Sequence, residues 1–110
     1  MTRLVQMRNS RLIAEKTIDA VASVAGPNPY DDGSRPTMTF NDLRQIDNIG
    51  DCSIQCSDGA YIAKPVSISN NVLTFLVLQG NAGANTEVAV GDTINMSGIT
   101  FYGQARGQAQ

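Results

Sequence analysis

From Ile99 to Gly107 the chain reads ITFYGQARG, and apolar or small residues alternate with polar ones through the whole stretch. That period of two is the signature of a strand with one buried and one solvated face. It places Ile99, Phe101, Gly103 and Ala105 inward, and Thr100, Tyr102, Gln104 and Arg106 outward. A slip of one residue would put Phe101 in water, so the register is strongly specified. Strands of this kind cannot fold alone; they must pair, and they must cover one face.

Other segments supply the partners. TIDAVASVA sets Ile18, Ala20, Ala22 and Val24 against Asp19, Val21 and Ser23. Ser10 is also placed to cap a helix running from Arg11, so residues 11–25 read as either helix or strand. GPNPYDDGSRP is a loop by its prolines and glycines. Its adjacent Asp31 and Asp32 lack the spaced oxygen ligands of a calcium loop. TMTF puts Met38 and Phe40 on one face, and in NDLRQID Asn41 is placed to cap a single helical turn.

IGDCSIQC ends at the turn signal SDG and YIAKPVSIS begins at once, which predicts a hairpin between them. On the second of these strands Ile62, Val66 and Ile68 share the apolar face, and Pro65 demands an edge position or a bulge. NVLTFLVL is apolar on both faces: Leu73, Phe75 and Val77 on one, Val72, Leu76 and Leu78 on the other. Such a strand is either covered on both sides or shows one face to a partner. QGNAGAN reads as a loop, and EVAVGDTINMSG as a short strand and a turn.

The sum is about six or seven short strands with turn signals every eight to twelve residues, the pattern of an all-β chain. The expected fold is a small antiparallel β-sandwich over residues 16–107. An extended or partly helical N-terminal arm (residues 1–15) precedes it, and a polar tail (residues 108–110) follows.

Charge divides one residue beyond that boundary. Arg3, Arg8, Arg11 and Lys16 against Glu15 give residues 1–16 a net charge of +3, whereas four cations against nine acids give the remainder −5. A basic arm that also carries Leu4, Val5, Met7, Leu12 and Ile13 can dock onto an acidic neighbour, another copy of the same body included. Arg3, Leu4, Val5, Met7, Arg8, Arg11, Leu12 and Ile13 are therefore the candidate partner contacts. Ordering a flexible residue costs roughly 1–2 kcal/mol, so a surface that holds the arm must offset about 15–30 kcal/mol.

The chemistry of catalysis is poorly represented. The chain has no histidine, and its carboxylates fall mostly in turn settings such as DDG, GDC, SDG and GDT. No serine or cysteine has a candidate base. Cys52 and Cys56, four positions apart along a strand, stand roughly 13 Å from each other. That is beyond the reach of about 7 Å for a disulfide. They read as core residues beside Ile54 in a chain made in a reducing compartment. With at most two soft ligands a zinc site is not expected. No segment approaches the ~20 apolar residues of a membrane helix, and a net charge of −2 does not suit an electrostatic nucleic-acid binder. The expectation is a non-enzyme with no cofactor, no metal, no small-molecule substrate, no nucleic acid and no membrane. Tyr102 and Arg106, sharing the outer face of the last strand, are the candidate outward contact face.

The order SRPTMTFNDLRQID, AYIAKPVSISNNVLTFLVL, TEVAVGDTINMSGITFYGQARG resembles small virion structural proteins of tailed bacteriophages, the capsid decoration or cement proteins. Their pattern is a "TxxDL" stretch and an "ID" leading into a strand, then "NNxLxF", then "EVAxGTDLSxVTFxxxARG". The matching stretches run from Pro36 to Asp47, Asn70 to Leu78 and Glu87 to Gly107, with GDTINMSGITF standing where Gly-Thr-Asp-Leu-Ser is commoner. The resemblance implies a small β-sandwich that coats a capsid shell. It would be made in the host cytoplasm, bind the major capsid protein, bridge neighbouring subunits and form a homo-oligomer, a trimer by preference. The alternatives are a tail- or fibre-associated host-recognition or adhesion module and a head–tail junction component.

Overall fold

A computed structural model of the chain describes residues 16–81, 84–88 and 92–110. They form two antiparallel sheets packed face to face, the β-sandwich that the alternation predicts. The strands are β1 (Thr17–Ala25), β2 (Thr37–Thr39), β3 (Leu43–Ile46), β4 (Ser53–Cys56), β5 (Tyr61–Ser69), β6 (Val72–Asn81), β7 (Ala84–Glu87) and β8 (Thr100–Ala109). One turn of 3-10 helix, Ile49–Asp51, lies between β3 and β4, its N-cap Asn48 accepting from the Gly50 N–H. The N-terminal arm, with its eight candidate contacts from Arg3 to Ile13, lies outside the described residues.

In the first sheet β8 is central. β1 pairs along one edge from Thr17↔Gln108 to Ala25↔Thr100. Along the other edge β3 and then β4 follow in succession, at Ile46↔Gly107 and at Ser53↔Gln104 through Cys56↔Phe101. In the second sheet β6 is central, with β5 along one edge and β2 and β7 sharing the other. Between the sheets lie Met38, Phe40, Leu73, Phe75, Val77, Phe101 and Met96, all buried. The Phe75 and Phe101 rings meet across the core at 5.1 Å and 52°.

Residues 17–25 are a strand, resolving the ambiguity after Arg11, and Ala20 of the inward set is buried while Val21 faces out. In β8 Phe101, Gly103, Ala105 and Gly107 are buried, and Tyr102, Gln104 and Arg106 are exposed, as the period of two requires. The strand continues two residues past the boundary expected at Gly107. The polar tail is held through its backbone: Ala109 N–H donates to Lys16 O (2.7 Å) and Gln110 N–H to Asp42 O (3.1 Å).

Four local expectations are corrected. Asn41 caps no helical turn: Leu43 N–H donates to Phe40 O in a tight turn, and LRQI is strand β3 with Leu43 and Ile46 buried. β4 and β5 are not a hairpin. β4 pairs with β8 in the first sheet, and the SDG turn carries the chain across to the second sheet, where β5 pairs with β6. There Asp58 accepts from the Ala60 N–H at 2.9 Å. The apolar face expected on β5 is reversed at its start. A bulge between Pro65 and Ser67 shifts the alternation, so Ala63 is buried while Ile62 and Val66 are exposed. Pro65 thus sits on an edge strand and borders a bulge, the settings in which a sheet tolerates proline. Finally, most of QGNAGAN is ladder rather than loop, since β6 runs through Asn81 and β7 begins at Ala84.

The β5–β6 connection anchors this corner of the sandwich. Asn70 takes a left-handed φ of 54°, which asparagine tolerates better than most residues. Its carbonyl accepts from the Ile46 N–H (2.8 Å), and that of Asn71 accepts from the Phe40 N–H (2.9 Å). Thus the NN turn and the TFNDL stretch are a single hydrogen-bonded unit.

Candidate functional site

Two outward faces and one partly buried cluster carry the chemistry of the described residues. The first face lies over β1, β8 and β4. Register places Ser23, Tyr102 and Gln55 in one cross-strand row, and Val21, Gln104 and Ser53 in the next. Between them runs a groove of about 480 Å³ that reaches down to Ala22 and Gly103. Tyr102 is 53% exposed and Val21 70%. One row further along the strands Arg106 Nη1 approaches Asp19 Oδ1 at 3.8 Å. Both groups are well exposed, so this pair contributes at most a few tenths of a kcal/mol. A second, smaller groove of about 270 Å³ there is lined by Asp19 and Asp51. Tyr102 and Arg106 thus share one outer face, as the alternation places them, with a polar groove at one end and acidic groups at the other.

The second face is the outside of the β5–β6 sheet. Because Leu73, Phe75 and Val77 point inward, Leu76 and Leu78 point out. Cross-strand pairing sets Ile62 opposite Leu78 and Lys64 opposite Leu76. Ile62 is 47% exposed and Val66 37%, beside half-buried Leu76 and Leu78. Among the described residues nothing lies over this stripe.

The cluster joins Tyr30, Arg35 and Glu87, and no sequence signal announced it, because the partners are more than fifty residues apart. Arg35 grips Glu87 with two hydrogen bonds, Nε to Oε2 (2.8 Å) and Nη2 to Oε1 (2.7 Å). The buried Tyr30 hydroxyl donates to Glu87 Oε2 (2.6 Å) and accepts from the Val77 N–H (3.1 Å). β2 has ended by that point on β6, so the hydroxyl takes the place of a missing ladder carbonyl. Bidentate, charge-assisted contacts of this kind are the strong ones. They clamp the proline-rich loop to the second sheet. Asp31 within that loop accepts from the Gly33 N–H (2.8 Å), so it serves as a turn former.

Proton linkage follows from this geometry. The Arg35 guanidinium holds the Glu87 carboxyl below its ordinary value of 4.5. A depressed carboxyl stabilises the fold above its unfolded pKa, and that stability is lost as pH falls through the folded one. Burial, then the bond to Glu87, pushes the Tyr30 hydroxyl up from 10.0 to about 12. Its contribution is complete below pH 10 and is lost as pH rises toward 12. Chemical denaturation across pH should therefore show both limbs. Glu87→Gln is expected to flatten the acid limb and Tyr30→Phe the alkaline one. Tyr30→Phe also leaves the Val77 N–H unpaired, at a cost of about 1–3 kcal/mol at neutral pH.

Cys52 and Cys56 are free, half-buried thiols packed against the core beside Ile54. Burial pushes both pKa values up, which keeps them protonated and weakly nucleophilic at neutral pH. Among the described residues no group of three His, Cys, Asp or Glu side chains is placed to hold a metal ion. Nor is any helix there long and apolar enough to cross a membrane. No known protein family, curated protein or solved structure matches the chain.

Proposed function

We propose that the protein is a capsid decoration protein of a tailed bacteriophage, seated on the outside of the major capsid shell and bridging neighbouring subunits. The observation that carries this reading is the apolar stripe of Ile62, Leu76 and Leu78 on the outer face of the β5–β6 sheet. A lone sandwich gains nothing from one exposed and two half-buried large aliphatic side chains on an outer face. A docked one removes their remaining apolar surface from water at about 25 cal/mol per Å². Two further features support it. The NN turn and the TFNDL stretch, which carry much of the resemblance to decoration proteins, form one bonded corner. The arm and the body carry opposite charge, which suits a chain that reaches onto a neighbour, as in a trimer around a local three-fold axis.

Purified protein mixed with expanded empty capsids of its phage is expected to co-sediment with them and to raise their disruption temperature. Ile62→Lys is expected to weaken binding by about 2 kcal/mol, roughly thirtyfold, without unfolding the domain. A protein that neither sediments with the shell nor protects it would refute the reading. A copy number per virion as low as that of a tail or junction component would transfer it to those structures.

A further inference from the structure

We propose that the groove over β1, β8 and β4 binds a neutral oligosaccharide, with Tyr102 as the stacking platform and Ser23, Ser53, Gln55 and Gln104 as hydrogen-bonding groups. This goes beyond capsid attachment, which uses the opposite sheet.

The lining is the first reason. A sugar ring offers an apolar C–H face and a rim of hydroxyls that both donate and accept. The groove offers the complement: a half-exposed aromatic ring, the exposed Val21 side chain, two amides and two hydroxyls. Amides and hydroxyls each donate and accept, which suits vicinal hydroxyls better than carboxylates or cations alone. The side chains of Ser23, Ser53, Gln55 and Gln104, and the Tyr102 hydroxyl, make no hydrogen bond to the described residues.

Dimensions agree. Neighbouring strands lie about 4.8 Å apart, and successive same-face rows about 7 Å apart. Three strands and two rows thus make a patch of about 10 by 7 Å, the footprint of a disaccharide. Ser23 and Ser53 are short beside Tyr102, Gln55 and Val21, so the surface is grooved rather than flat.

Charge and topology select among ligands. The groove itself is uncharged; beyond its far end stand Asp19 and Asp51 with Arg106, whose guanidinium approaches Asp19. The flank thus carries one net negative charge and does not favour an anionic polysaccharide. A peptide gains most from a sheet by adding a strand to a free edge. β8, at the middle of the groove, has both edges paired.

The test is a titration of the isotope-labelled full chain with neutral hexasaccharides of glucose, mannose, galactose and N-acetylglucosamine, followed by amide resonances. At least one sugar is expected to give saturable shifts at residues 21–23, 53–55 and 102–104. Tyr102→Ala should weaken that binding by about tenfold or more, while Tyr102→Phe, which keeps the ring, stays within about threefold. An anionic hexasaccharide of hyaluronan should bind more weakly. The proposal is overturned if no neutral sugar moves these amides at about 10 mM. It is equally overturned if the shifts map to the β5–β6 face, if Tyr102→Ala binds as wild type does, or if the anionic sugar binds as tightly. Since Ile62→Lys leaves this groove intact, failure here and failure of capsid binding are separately visible.

Discussion

Phe101→Ala is expected to destabilise the domain by about 3–5 kcal/mol. Phe101 is fully buried between the two sheets, its ring 5.1 Å from that of Phe75 of the opposite sheet and tilted by 52° to it. On its own sheet it is flanked by Val24 of β1 and Cys56 of β4. The core has few residues that could relax into the gap. The chain has three phenylalanines and no tryptophan, so the interlayer space is filled by a handful of rings and long aliphatic chains. Removing one ring leaves a cavity whose walls belong to paired strands, and paired strands collapse poorly. Domains of this kind are stable by about 5–15 kcal/mol, so a third or more of the total would go. Urea unfolding should show a lower midpoint with an unchanged slope. A loss below about 1.5 kcal/mol would mean that the two sheets are not in contact at this point.

Gly107→Ala is expected to cost about 3 kcal/mol, the upper end of what overpacking does. A Cβ built on Gly107 overlaps the backbone carbonyl oxygen of Gln45, beside the irregularity where β3 meets β8. Backbone cannot rotate away as a side chain does. Either the β3–β8 ladder opens, releasing buried Leu43 and Ile46, or β8 shifts. Gly103 provides the control. A Cβ there meets the Met38 thioether first and then Phe40. A methionine side chain has the freedom to repack, so Gly103→Ala should cost about 1 kcal/mol. The two glycines lie on the same inward face of one strand, and what separates them is whether the obstacle is main chain or a flexible tip. Equal losses at both positions in the same urea experiment would overturn this account.

The failures at β4 and β5 have a common origin. SDG is a good turn, but a turn states only that the chain bends, not which strand the bend delivers as a partner. β5 joins β6 because their ladder extends over most of both strands and places Phe75 and Val77 in the core. β4 finds the edge of β8 that β3 has left free. The inversion of Ile62 follows from a single extra residue, Val66, between the paired Pro65 and Ser67, which a period-two count passes over. That inversion creates the exposed stripe on which the capsid reading rests. The Tyr30–Arg35–Glu87 clamp was illegible for a different reason: each member is ordinary in its own neighbourhood, and only folding brings them together.

The sequence by itself determined the sandwich class and the inward and outward residues of β8, and hence the shared outer face of Tyr102 and Arg106; that residues 17–25 are a strand, and which apolar face of β6 is covered, it left open. Those properties follow from local sterics, since successive side chains on any extended backbone point to opposite sides whatever the partner. The tertiary structure alone decided which strands pair, where a bulge reverses a face, and which distant polar groups meet. Each of those is a competition among non-local contacts, settled by the total free energy of the packed domain and not by any segment within it.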